Sequence, residues 1–308
     1  MDYVGSAVWF QTQALRSAGS FAPFPGALQY DALLRIFDQE GGFSSIGHIA
    51  EPLVHLPFSQ TEHPLAQASR QVAVEAHLAR RKVPGQVEQG LLPGTLRVAY
   101  PLERTPLVSI IIPNRDSVWY LRPCLKTLFQ KTDYTHYEVI IVDNQTEDPD
   151  TLAYYDELAA THSERVRIVH YDRPFNFSAQ CNLGVEAAQG ELILLLNNDT
   201  EIIQANWLSR MVAHALRPEV GIVGARLVYP ETGKVQHAGV ILGLDRLASH
   251  GFMNLDMKDP GYLNRLQVEQ NYSAVTAACM LVAKELFIQV SGMDEKDTPV
   301  LFNDVDFC

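Results

Sequence analysis

ELILLLNNDTEI, residues 191–202, sets a short aliphatic run against an abrupt polar stop. Leu192 to Leu196 is too brief for an ordinary helix, follows Gly190, and has no polar break, which is the pattern of a strand buried on both faces. Asn197, Asn198 and Asp199 come directly after it. A buried strand thus delivers two amides and a carboxylate to its carboxyl end.

Working outward, the same unit recurs. LVSIIIP (107–113) reads as a β-branched strand stopped by Pro113. Residues 117–130 place Val118, Leu121, Leu125, Leu128 and Phe129 on one helical face, with Pro123 expected to delay or bend the helix. YEVIIVDN (137–144) is a second strand, a helix is expected near 150–160, and RVRIVHY (165–171) is a third strand. A helix then opens around Ser178 and closes at Gly190, a residue able to take the left-handed cap conformation. After the opening stretch, Asn206 is placed to cap a helix whose stripe is Trp207, Leu208, Met211, Val212, Ala215 and Leu216, ended before Pro218.

Strand and helix alternating over short joints predict an α/β fold: a mainly parallel, Rossmann-like sheet with helices on both faces. Ligands in such sheets bind beyond the carboxyl ends of the strands, where both Asp143 and the triplet 197–199 emerge. Neither G-x-G-x-x-G after the first strand nor G-x-x-x-x-G-K-[ST] anywhere is present, which removes the main support for a dinucleotide fold or a P-loop.

A formal charge of -12 with no long basic run argues against nucleic acid as a partner and against a polybasic membrane anchor. An acidic protein that handles anionic substrates needs local positive charge, which directs attention to a metal ion. Cys124, Cys181, Cys279 and Cys308 match no zinc spacing and read as reduced thiols of a cytosolic protein. The amino terminus lacks the pattern of a signal peptide, and no apolar run is long enough to span a bilayer. A cytoplasmic location follows, with peripheral contact at the inner face of the membrane left open.

Residues 1–104 differ in character. GALQYDALLRIFDQEGG (26–42) reads as a helix ended by glycines, and GHIAEPLVHLP (47–57) as an extended segment. Pro64 to Lys82 reads as a helix with Pro in its first turn, Arg80, Arg81 and Lys82 complementing its dipole, and Pro84-Gly85 as its stop. No complete core pattern is visible there.

SIIIPNRD, EVIIVDNQTED, FNFSAQCNLGVEAAQGELILLLNNDTEI, VGARLVYPETGKVQHAGVILG, TAACMLVAKELFIQVSGMDE and FNDVDFC occur in that order. Together they resemble the family 2 glycosyltransferases of GT-A fold, above all the rhamnosyl-transferring and O-antigen enzymes, over residues 105–308. The resemblance implies that residues 1–60 are the end of a preceding module of the same kind and 61–104 a helical linker. An internal echo supports this: GSAVWFQTQALRSAGSF with QYDALL (5–34) parallels AACMLVAKELFIQVSGM with DVDFC near the end, so that Asp31 answers to Asp306. The chain is then expected to be an excerpt of a tandem enzyme, cut at Cys308 before an arginine and a histidine that the family carries downstream.

The resemblance also implies the chemistry. A sugar passes from a nucleotide-diphosphate donor to a hydroxyl of a glycan or lipid-linked acceptor, with inversion, in bacterial surface polysaccharide synthesis; neighbouring transferase modules are the other expected partners. Asp199 corresponds to the last acid of the family's D-x-D motif and is the expected ligand of Mg²⁺ or Mn²⁺, while Asn197 stands where the first acid belongs. Asn198 would meet the ribose, Asp143 the base, and Pro113, Asn114, Asp116 and Asn182 the nucleotide. Asp304 would be the general base, with Asn303 in place of the usual Glu.

Each residue also has a plainer reading. Asp199-Thr200 suits a turn or a cap, Asx residues after strands such as Asp143-Asn144 are common, and Asp304 suits a solvated helix start. His237 suits packing or the acceptor side, and His48 and His55 suit structural roles. Two rival functions stay open: a nucleotidyltransferase, which wants a basic Gly-rich loop where only Arg115 and Arg122 occur, and a degenerate module that binds nucleotide or scaffolds a partner.

Overall fold

The computed structural model describes residues 8–39, 42–47 and 65–308. Most of the expected extended segment, with His48 and His55, lies outside these residues, as do Pro64 and the start of the internal echo. The chain divides into two compact units, one of Met1–Pro101 with Lys258–Gln270, the other of Leu102–Met257 with Asn271–Cys308.

In the smaller unit the helices expected on either side of residue 47 are found at Leu28–Phe37 and Ala66–Arg81, preceded by a short helix at Thr12–Ser17. A two-stranded hairpin, Gln86–Gln89 with Leu96–Ala99, had no sequence expectation. Asp31 is 1% exposed and is held by Arg35 one turn on, at 2.8 Å, while the same guanidinium bonds the carbonyls of Ala18 and Ser20. Gly19 turns the chain in the left-handed region at φ 88°. The order is therefore helix, left-handed glycine, then a helix carrying an acid.

The larger unit is built on the expected alternation: β1 (Val108–Asn114), α1 (Val118–Lys131), β2 (Tyr137–Asp143), α2 (Pro149–Thr161), β3 (Val166–His170), α3 (Phe177–Ala187), β4 (Leu192–Leu196) and α4 (Trp207–Ala215). It continues with β5 (Ile222–Gly224), β6 (Cys279–Ala283), α5 (Lys284–Gln289) and α6 (Asn303–Phe307). Here too a helix is followed by a left-handed glycine, Gly292 at φ 72°, and a helix with acids.

These six strands form one sheet in the order β3-β2-β1-β4-β6-β5. β1 to β4 pair in parallel, whereas β6 runs antiparallel to both β4 and β5. The alternation by two of strand side chains sends Ile110, Ile112, Val139, Ile141 and Leu194 to one face, against α1, α2 and α4. Ile111, Ile140, Val142, Ile193 and Leu195 go to the other, against α3 and α5. Burying each such side chain stabilises the unit by roughly 1.5–3 kcal/mol.

Three local expectations need correction. α1 begins on time at Val118 and contains Pro123 in its interior. α3 ends at Ala187, and Gly190 is not left-handed. Its lack of a side chain serves close approach instead: a Cβ there would lie 2.6 Å from Ser109 Oγ and 2.7 Å from the Leu107 carbonyl. Asn206 occupies the cap position of α4, but its side chain makes no capping bond. Neither β5 nor the reversed β6 was anticipated; CMLVA is short, and nothing local fixes a strand's direction.

Candidate functional site

Strand order reverses between β1 and β4, since β1 leads outward to β2 and β3 while β4 returns to its other side. Their ladder ends at Ile111 and Leu195, but β1 runs on to Asn114 beside Asp143. Beyond that last pair lies the switch point, the place at which open α/β sheets bind ligands.

Polar side chains line up across it. Asn198 Nδ2 donates to Asn114 Oδ1 at 2.7 Å, and Asn114 Nδ2 donates to the Tyr155 hydroxyl at 2.8 Å. Tyr155 in turn donates to Asp143 Oδ1 at 3.0 Å, and His170 Nδ1 lies 3.3 Å from Asp143 Oδ2. Asn114 and Asp143 are 3% and 4% exposed, so the row is satisfied from within. Burial, above all, pushes the Tyr155 phenol up, which keeps it a neutral donor. Tyr155 is the member that sequence reasoning missed; on α2 it reads as core, and only the polar strand ends opposite it give its hydroxyl a task.

Asp199 follows in a turn closed by the Thr200 amide on the Asn197 carbonyl at 3.3 Å, with the Thr200 hydroxyl on the same carbonyl at 2.7 Å. The turn reading of Asp199-Thr200 is thus realised. Its carboxylate is nevertheless exposed, and no donor or cation pairs with it among the described residues. No cluster of three or more His, Cys, Asp or Glu side chains suited to a metal occurs among the described residues. The protein's own contribution at this place is one hard oxygen donor, which fits a Mg²⁺ or Mn²⁺ ion only if a second oxygen-rich group shares it.

Pro113 is half-buried on β1 next to Asn114. Asp116 sits on the following loop at φ 46°, where Oδ1 accepts the amides of Glu147 at 2.6 Å and Asp148 at 2.8 Å. Those amides, Asp148 first, hold its carboxyl below the usual range and tie the loop after β1 to the loop after β2. Asn182 on α3 is engaged at both ends of its amide: Nδ2 donates to the Met293 carbonyl and to Glu295 Oε1, each at 2.9 Å, and Oδ1 accepts the Met293 amide at 2.9 Å.

Because β6 runs backwards, the segment leading into it reaches the same rim, where the Ala278 carbonyl accepts the Asn197 amide at 3.1 Å. Asp304 on α6 lies next to this segment, with Oδ2 3.4 Å from the Ala277 amide and Oδ1 accepting Val305 N–H at 2.9 Å. It lines a depression of about 260 Å³ together with His250. Neither Asp143 nor Asp199 is among the lining residues. Asn303 is buried and donates to the Val300 carbonyl. His237 is also buried, and burial, with His250 beside it, brings its pKa down to about 3.

Comparison with known proteins agrees with this architecture. The model of the family described as Glycosyl transferase family 2 matches residues 109–290. An uncharacterized protein, y4gI of Sinorhizobium fredii, is 40% identical over 100% of the chain, which covers 34% of that protein. The O-antigen biosynthesis protein RfbC of Myxococcus xanthus is 36% identical over 96% of the chain and 23% of its own length. The chain thus spans between about a quarter and a third of these relatives. Among solved structures, the mannosyltransferase PcManGT of Pyrobaculum calidifontis, in complex with GDP-Man and Mn²⁺, superposes with a TM-score of 0.51 at 15% identity, over 79% of this chain and 59% of that one. At that identity the likeness speaks for the fold, which is GT-A. No helix among the described residues is long and apolar enough to cross a membrane.

Proposed function

The chain belongs to glycosyl transferase family 2, and we propose that it moves a sugar from a nucleotide-diphosphate donor to a hydroxyl acceptor, inverting the anomeric carbon, in the assembly of a bacterial surface polysaccharide. One observation carries this reading: the row Asp143, Tyr155, Asn114, Asn198 laid across the switch point, with the unpaired Asp199 carboxylate next in the chain. Fixed amides and carboxylates suit the base and ribose of a nucleotide, which are rich in hydrogen-bonding groups.

On this reading Asp143 receives the base, Asn198 the ribose, and Pro113, Asn114 and Asp116 border the nucleotide. Asn182 enters through its clip on residues 293–295. Asp199 would hold a divalent ion jointly with the donor's diphosphate; when bound, such an ion neutralises charge on the departing group. Asp304 takes the proton of the acceptor hydroxyl. The O-antigen relative supports a polysaccharide product, met as a glycan or lipid-linked acceptor at the inner face of the membrane. GDP-Man and Mn²⁺ in the mannosyltransferase support a sugar nucleotide with a divalent ion. The matching order of helix, left-handed glycine and acidic helix in both units supports residues 1–60 as the end of a similar module, 61–104 as linker and 105–308 as the transferase domain.

The test is thermal unfolding with Mn²⁺ and a panel of nucleoside diphosphates. Saturation about 100-fold above Kd stabilises by about 2.7 kcal/mol, a Tm rise of roughly 5 °C for a chain of this size. Asp199→Ala should abolish the rise, and an equal rise in the variant removes Asp199 from the metal site. In transfer assays from sugar nucleotides, Asp304→Asn should lower kcat by about 10²–10⁴-fold; full activity rules Asp304 out as the base.

A further inference from the structure

The contact between His237 and His250 is not used by the reaction outlined so far. His237 ends the strand Val235–His237, and its Nε2 faces the amides of Gly239 at 3.2 Å and Thr276 at 3.3 Å. Only an unprotonated nitrogen can receive two donors. The proton of the neutral ring is therefore on Nδ1, which lies 2.8 Å from Nδ1 of His250 with the rings at 86°. His250 Nδ1 must accept it, so neutral His250 carries its own proton on Nε2. That Nε2–H has no hydrogen-bond partner among the described residues. Gly239 makes the arrangement possible: its φ is 103°, and a Cβ there would lie 2.2 Å from the Tyr272 ring.

His250 lines the depression that also contains Asp304. Its walls are otherwise mainly apolar, with Val240, Val300, Leu301 and Phe302 among them, and no Lys or Arg among the described residues lines it. A diphosphate placed against Asp304 without a cation is repelled. A neutral sugar fits, because its C–H faces suit apolar walls and its hydroxyls suit one donor beside one acceptor.

Building on the transferase reading, we propose that this depression takes the neutral saccharide end of the acceptor, and that His250 donates its Nε2–H to an acceptor oxygen beside Asp304. His237 is the positioning residue that fixes the tautomer.

The experiment is long-range ¹H–¹⁵N NMR on the histidine-labelled chain, titrated with methyl glycosides of neutral hexoses and deoxyhexoses. The expected result is His237 as the Nδ1–H tautomer, His250 as the Nε2–H tautomer, and a shift of His250 Nε2 on addition of at least one glycoside. His237→Phe should turn His250 into a mixture of tautomers. His250→Ala should weaken glycoside binding at least tenfold, and His250→Gln, which places an amide N–H near the position of Nε2, should restore most of it. Retention of the Mn²⁺-nucleotide Tm rise in His250→Ala shows that the variant is folded and reads the donor side separately. Glycosides that leave His250 Nε2 unmoved, or that bind His250→Ala as well as the parent, overturn the acceptor assignment whether or not the nucleotide rise is seen. A His250 response to the nucleoside diphosphate alone also overturns it.

Discussion

Asn198 donates to Asn114 across 2.7 Å, beyond the last ladder pair of β1 and β4. The strands part at Ile111 and Leu195, and this amide-to-amide bond spans the gap between their ends. The rim at the switch point is thus fixed by side chains where the backbone ladder has stopped, and those side chains are the ones the proposed donor would meet.

Tyr155→Phe deletes the hydroxyl that joins Asn114 to Asp143 and leaves both one partner short in a buried place. The expected loss is about 1–3 kcal/mol, read as a lower urea midpoint at unchanged slope. A midpoint equal to the parent's would mean that water replaces the hydroxyl without penalty.

Asn182→Ala opens the clip between α3 and Met293. Stability should fall by about 1–2 kcal/mol for the lost hydrogen bonds, and amide hydrogens over 293–299 should exchange faster. If the Mn²⁺-nucleotide Tm rise disappears while exchange stays slow, Asn182 belongs to the nucleotide pocket and not to the clip.

Gly184→Ala sets two effects against each other. Helix propensity favours Ala by about 1 kcal/mol. A Cβ at 184 would, however, lie 2.3 Å from Ile111 Cγ2 and 3.1 Å from Val142 Cγ2, both in the sheet interior. Overpacking of that kind costs about 1–3 kcal/mol, so net destabilisation is expected; a raised Tm would show that α3 can lift from the sheet.

Buried His237, neutral in the fold with a pKa of about 3, titrates near 6.5 when unfolded. Its folded value is the lower one, so the unfolded chain binds the extra proton between these limits. Stability from this group is full above pH 6.5 and is lost as pH falls toward 3, by up to about 1.4 kcal/mol per unit. Between pH 6.5 and 5, above the carboxylates, the urea-unfolding free energy of His237→Phe should fall less steeply than the parent's. Parallel slopes would mean that His237 takes up protons in the fold as it does in the unfolded chain.

The sequence carried β1 to β4 and their helices because each is a local pattern: Ile110 to Ile112, Val139 to Val142 and Leu192 to Leu196 are apolar runs with polar stops. Asp143 and the triplet at 197–199 were legible as a rim for the same reason, since strand ends are marked by where hydrophobicity stops. The direction of β6 was not legible, because CMLVA reads alike either way and only its partners orient it. Nor was the His237 and His250 pair, which depends on a hairpin bringing His250 opposite Val240. Gly190 misled because glycine after a helix suggests a cap, whereas here its missing side chain admits Ser109.

Gly224 and Met280 face each other on β5 and β6, so the long stretch between them departs from and rejoins neighbouring positions of the same ladder. Lengthening such an excursion costs little, since doubling a loop adds only about 0.6 kcal/mol in closure entropy. None of Asn114, Asp143, Tyr155 and Asn198 lies within residues 225–278, so an insertion in that stretch leaves the members of the amide row in place. On the proposed reading His237 and His250 ride on this excursion, so the acceptor side can be altered there by substitution without touching a residue of the donor row.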